Sequence, residues 1–373
     1  MKENNLKQLV KLGQSIWLDY IRKDLITDGE LQRLISEDGL TGITSNPSIF
    51  EKAIAHSSLY DDDIKNMAFE GKESLSIYEA ISQHDVQSAA KEFISVYKET
   101  NGKEGYVSLE VNPHLAHDTQ RTIAEAKRLW KSLNSTNVLI KVPATKEGIP
   151  VIQQLIGDGI NVNVTLLFGL QRYQQVAEAY IAGLEELHNK GQPINKISSV
   201  ASFFVSRIDA LVDPMLDNII ERGEDTKPLV KKIRGQIAIS SARAAYQIYK
   251  DVFSSKRFKK LSEHGAKPQR LLWASTGTKD PNYSDVKYVE ALIGLETINT
   301  LPVKTLEAYL NHGDPKSRIE CDPEGNKQIF LDLKTLGINL RDVTQQLEDE
   351  GVEKFNQSFD SLIKSIEQKH QVV

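Results

Sequence analysis

Eight short apolar runs punctuate this chain, and each is followed by a longer segment with the spacing of a helix. The runs are SIWLDYI (15–21), GITSN (42–46), YVSLEV (106–111), VLIKVPA (138–144), VNVTLLF (162–168), ISSVASFFV (197–205), RLLWAST (270–276) and ETINTLP (296–302). Helix candidates fall at 116–132, 169–188, 206–221 and 228–250; the third puts Ile208, Leu211, Val212, Met215, Leu216 and Ile219 on one face. Pro47 behind Thr44–Asn46 marks another helix start. Strands alternating with helices specify parallel βαβ units. An open, doubly wound sheet would take the same pattern, but no G-x-G-x-x-G follows the first run. The expectation is a closed (β/α)8 TIM barrel, one domain over 1–373, with additional N- and C-terminal helices beyond the usual length of about 250 residues. Residues 303–373 read as a largely helical extension. Its stripe of Phe355, Phe359, Leu362 and Ile363 is expected to pack as a terminal helix, with a homodimer surface as the second reading.

Strands of a parallel barrel are buried on both faces and should be apolar almost throughout. Several of these are not. Residues two apart share a face of a strand, and one parity collects polar groups: Trp17 with Asp19, Ser108 with Glu110, Asn161 with Asn163 and Thr165, Ser202 with Phe204, Trp273 with Ser275. The apolar parity must meet the helices, so the polar one faces the barrel interior, near the strand C-termini where barrel enzymes place their chemistry. One buried Asn or Thr is ordinarily a satisfied hydrogen bonder. Asp19, Asn46, Glu110, Lys141, Asn163, Thr165 and Ser202 converging from six strands are too many for filler.

Lys141 stands inside the apolar run NVLIKVPAT (137–145). Lysine is almost never fully buried unless something pairs with it or uses it. In water its amine is protonated, and desolvation favours the neutral nucleophile. A neutral amine adds to a carbonyl and yields a Schiff base, whose iminium draws electrons from an adjacent carbon–carbon bond. Carboxylates must then move protons, and Glu110 and Asp19 are the two on the inward parity. The alternative is a buried ion pair between Lys141 and one of them.

The net charge of −5 and a sequence pI near 6.0 give no reason to expect nucleic acid or an anionic membrane as partner. The basic stretch SSKRFKKL (254–261) reads as a solvated face. With Cys321 as the one cysteine, no intramolecular disulfide forms, which suits a reducing compartment. The N-terminus lacks the apolar core of a signal peptide, and no run of 18 apolar residues is present, so a cytoplasmic protein is expected. The pair His114 and His117 in HLAH has no evident third ligand and reads as surface, and no metal site is expected.

GITSNPSIF (42–50), VLIKVPATKEGI (138–149) and GINVNVTLLF (159–168) together resemble the signature regions of the transaldolase family, in its longer bacterial form. WLDYI (17–21), VSLEVNP (107–113) and ASFFVSRIDALVD (201–213) fall in the same order, so the resemblance covers roughly 13 to 365. It implies transaldolase activity in the pentose phosphate pathway. A dihydroxyacetone unit would pass from sedoheptulose 7-phosphate or fructose 6-phosphate to glyceraldehyde 3-phosphate or erythrose 4-phosphate, without a cofactor. The resemblance makes Lys141 the Schiff-base nucleophile and Asp19 the group that takes the sugar hydroxyl proton. Glu110 becomes an acid/base acting through a water that Thr165 helps to hold. Asn46 and Asn163 would bind hydroxyls, Ser202 and Phe204 would line the pocket, and Arg207 would bind phosphate.

One position departs from the pattern. Many members carry a serine and an arginine after the seventh strand, both on phosphate; here WASTGTKDP (273–281) keeps Ser275 but has Gly277 in the arginine's place. Lys279 is expected to supply the charge, as a point charge rather than a fork. Two rival readings remain: an enzyme like the fructose 6-phosphate aldolases, which are shorter and carry Gln where Glu110 stands, or a non-catalytic phosphosugar-binding barrel.

Overall fold

In a computed structural model, which describes residues 4–222 and 226–371, the eight runs become eight parallel strands closed in sequence order. They are β1 (Gln14–Leu18), β2 (Leu40–Ile43), β3 (Tyr106–Glu110), β4 (Val138–Pro143), β5 (Val162–Leu167), β6 (Ser199–Phe204), β7 (Arg270–Ala274) and β8 (Thr297–Leu301). β1 lies between β2 and β8, which shuts the barrel. Val138, Ile140 and Val142 on β4, fully buried, exemplify the outward parity.

The interior is built in layers. At the N-terminal end Arg270 pairs with Glu104 at 2.9 Å and donates to Ser15 Oγ at 2.9 Å, satisfying a buried charge. Above it the Trp17 ring lies over Gly42, where a Cβ would stand 2.5 Å from the indole, and beside Tyr106 at 6.5 Å between ring centroids. Glycine is needed at 42 because the indole fills the space a side chain would take. Higher still, Asn163 donates to Ser108 Oγ at 3.0 Å and accepts from Ser202 Oγ at 2.7 Å, linking β3, β5 and β6. Trp17, Ser108, Asn163 and Ser202 thus face inward as the alternation requires.

Two expectations are corrected. Trp273 points outward: it neighbours the outward Phe203 in the β6–β7 ladder, packs edge-on against it and donates from Nε1 to the Leu292 carbonyl. The expected helix 228–250 is two helices, Lys227–Ile233 and Ile237–Phe253. They break at Gly235, whose φ of +70° suits glycine and whose N–H donates to Asp213 at 2.8 Å.

The helix expected over 116–132 runs Thr119–Leu133 behind an Asp118 N-cap. The segment after β8 forms helices Val303–His312, Pro323–Thr335 and Leu340–Gln371. In the last, hereafter the C-terminal helix, Phe355, Phe359 and Leu362 are buried in the hydrophobic core and half-buried Ile363 packs against it; Phe359 meets Tyr78 edge-on at 5.5 Å. This stripe is therefore intramolecular packing, not an open surface. No helix among the described residues is long and apolar enough to cross a membrane.

Candidate active site

A cavity of about 540 Å³ opens at the C-terminal end of the barrel. Its lining includes Asp19, Asn46, Lys141, Thr165, Ser202, Phe204, Arg207, Ser275 and Lys279, nine of the eleven residues singled out in the sequence. Glu110 and Asn163 lie just beneath the wall, 8% and 0% exposed.

Glu110, Lys141 and Asn163 are partners in successive ladders, so three polar side chains stand side by side across β3, β4 and β5. The Lys141 amine lies 3.2 Å from Glu110 Oε2 and donates to the Ser45 carbonyl at 3.0 Å. Ser45 is itself held by a 2.7 Å bond from its hydroxyl to the Ser108 carbonyl. The amine is thereby aimed by a backbone oxygen from β2's C-terminal loop. Burial pushes the Glu110 carboxyl up to about 7, against the pull of the neighbouring lysine. Glu110 Oε2 has no well-aligned hydrogen bond, and the buried Thr165 hydroxyl has no partner among the described residues.

Asp19 follows β1 and accepts a 2.7 Å bond from Thr44 Oγ1. That bond uses the Thr44 proton, which leaves Thr300 as donor in the 2.8 Å contact between the two threonines. Burial raises the Asp19 pKa; the charge of Lys141, the Thr44 bond, Lys279 and Arg207 oppose it in that order. Asn46 does two things. Its Oδ1 caps the helix Pro47–Ala55 through the Ile49 N–H at 3.1 Å, which fixes the side chain and leaves the amide NH2 for the cavity.

Among the described residues, two non-glycine residues at C-terminal strand ends carry left-handed backbones: Leu166 at φ +53° and Ser275 at φ +55°. Such residues cost on the order of 1–3 kcal/mol each and cluster at functional sites. At Ser275 the strain breaks the alternation, so both Ala274 and Ser275 reach the cavity although Trp273 faces out. Ser275 Oγ lies 3.2 Å from Ser206 Oγ, which ties the end of β7 to the first turn of the helix Ser206–Arg222.

Arg207, in that first turn, lies 5.7 Å over the Phe204 ring, and burial lowers its pKa. Lys279 is lowered by partial burial, then by the like charges of Arg207, Lys354 and Lys52, with Asp19 opposing. Lys304 completes the set at the mouth. Among the described residues none of these five cations has a carboxylate within ion-pair distance. Like charges gathered with no carboxylate in ion-pair contact favour an anionic ligand. The arrangement can attack a carbonyl with an amine, move protons with two raised carboxyls and hold an anion at the rim.

The sequence reading missed Tyr20, Thr44, Lys52, Thr300, Lys304, Lys354 and Phe355, all on the cavity wall. Lys52 had a signal, since Ile49 and Lys52 share the helix face three residues apart behind Asn46. Lys354 and Phe355 had none, because they come from the far end of the chain. His114 and His117 contact Asp360 and Glu147 at the surface, and among the described residues no three His, Cys, Asp or Glu groups are arranged for a metal.

The family described as Transaldolase/Fructose-6-phosphate aldolase matches residues 16–366. A transaldolase of Trichodesmium erythraeum is 46% identical over 99% of this chain and 98% of its own length. A protein named Transaldolase 2 from a Nostoc species is 46% identical over 99% and 98%. A transaldolase of Saccharopolyspora erythraea is 43% identical over 98% of both.

Proposed function

This chain belongs to the Transaldolase/Fructose-6-phosphate aldolase family, and from that premise we propose that Lys141 is the amine on which its transfer chemistry runs. The protein is a transferase: a transaldolase that moves a dihydroxyacetone unit from a ketose phosphate to an aldose phosphate through a Schiff base. The observation that carries the residue assignment is the row of Glu110, Lys141 and Asn163, with a lysine amine that opens into a cavity rimmed by unpaired cations.

Lys141 attacks the ketose carbonyl. Glu110, raised into the range where it gives and takes protons at neutral pH, protonates the carbinolamine oxygen through a water held with Thr165, and that oxygen leaves as water as the nitrogen lone pair forms the iminium. Asp19 then takes the proton from the hydroxyl next to the bond that breaks. That carbon leaves as an aldehyde, and the bond's electron pair moves into the iminium to make an enamine on Lys141. Asn46, and Asn163 with its remaining amide proton, hold the hydroxyls of the three-carbon unit; Ser202 and Phe204 shape the wall around it. Arg207, Ser275 and Lys279 receive the phosphate, which also gains from the helix N-terminus at Ser206.

Borohydride reduction with fructose 6-phosphate, followed by peptide mass mapping, tests this reading. A three-carbon adduct on Lys141 is expected; an adduct on another lysine would overturn it.

A further inference from the structure

The C-terminal helix crosses the mouth of the barrel. Gly351 allows the close approach: a Cβ there would lie 3.0 Å from Cδ2 of Leu166, the left-handed residue after Thr165. One turn later Phe355, 3% exposed, lines the cavity with its ring centroid 5.9 Å from the Lys141 amine. The same cavity is lined by the polar groups of Asp19, Asn46, Thr165 and Ser202 and, from the barrel side, by the ring of Phe204. Phe355 is therefore the apolar cover that the C-terminal helix lays over the reacting nitrogen.

We propose that Phe355 is a specificity-determining residue: it keeps the unit on Lys141 for transfer instead of release. The proposal rests on Lys141 as the Schiff-base lysine. After cleavage the enamine carbon has two fates. In transfer it forms a carbon–carbon bond to the acceptor's carbonyl carbon, whose oxygen takes a proton. In release the same carbon takes a proton from solvent. Either way the nitrogen returns to an iminium, which one water hydrolyses to ketone and free amine. The two routes differ only in whether that carbon gains carbon or hydrogen. A ring that closes the solvent side hinders the second route, because it keeps water away from the enamine carbon.

The test compares Phe355→Ala and Phe355→Leu with the unaltered protein, with fructose 6-phosphate alone and with erythrose 4-phosphate in addition. The measured quantity is free dihydroxyacetone formed relative to acceptor transfer, in D2O so that solvent-derived hydrogen is marked. The ratio is expected to rise about tenfold or more in Phe355→Ala, and less in Phe355→Leu. A ratio unchanged while both rates fall would mean that the ring only shapes the fold, and the proposal would be wrong. Phe355→Leu keeps the test open where the alanine variant does not fold. Borohydride trapping on the unaltered protein separates the two claims: a Lys141 adduct with an unmoved ratio sinks the role of Phe355 alone.

Discussion

Glu110 and Lys141 are direct partners in the β3–β4 ladder, and their side chains meet 3.2 Å apart with 5% and 4% exposure. Burial wins over the ion pair at Glu110, whose value rises from 4.5 to about 7. A carboxyl raised on folding binds its proton more tightly in the folded state. Its contribution to stability is thus fully present below pH 4.5 and lost as pH rises through about 7. Glu110→Gln should flatten that part of the stability curve, by on the order of 3 kcal/mol at most for a shift of this size. Denaturant melts from pH 4 to 8 measure it. The same substitution should remove an inflection near pH 7 from kcat/KM, with a loss of about a hundredfold or more.

Asp19 and Lys141 carry separable steps in the proposed mechanism. Asp19→Asn keeps a hydrogen-bond partner for Thr44 but cannot take the hydroxyl proton. Borohydride with fructose 6-phosphate should then trap the uncleaved six-carbon sugar on Lys141, where the unaltered protein yields the three-carbon adduct. A three-carbon adduct in Asp19→Asn would move the base elsewhere.

The rim cations should act on the phosphorylated end alone. Arg207→Ala is expected to raise KM for fructose 6-phosphate about tenfold to a hundredfold, the cost of a charge-assisted bond. Lys354→Ala and Lys52→Ala, at exposed positions, should raise it a few-fold, more at low salt than at high. An equal loss with an unphosphorylated ketose donor would remove these lysines from phosphate recognition.

Gly42→Ala should destabilise without touching the cavity. The added methyl meets the Trp17 ring at 2.5 Å in a closed layer of the barrel, and overpacking of this kind costs about 1–3 kcal/mol. Guanidinium unfolding measures the loss, with borohydride trapping of the folded fraction retained.

The barrel could be read in the sequence because burial on both faces makes each polar strand residue conspicuous. That is how Glu110, Lys141 and Asn163 stood out as inward-facing residues, although the register that sets them side by side is visible only in the ladders. Ser275 belongs to the cavity for a reason alternation does not supply. Parity ties it to Trp273, which faces outward, and only the left-handed turn at Ser275 brings its hydroxyl inward. The break at Gly235 follows from a contact with Asp213 that helical periodicity does not encode. Lys354 and Phe355 were hidden for a third reason: on their own helix they are one lysine and one member of an apolar stripe. Their meeting with Lys279 and Lys141 exists only once that helix lies across the barrel.

That crossing also sets an order of assembly. Phe355 leaves the ribosome after all eight strands, so a nascent chain can close its barrel and present the Lys141 amine while the cover is still being synthesised. Until the last helix docks, the amine faces open solvent and any aldehyde in it. Docking of that helix is then the event that turns the proposed nucleophile from an open amine into a guarded one.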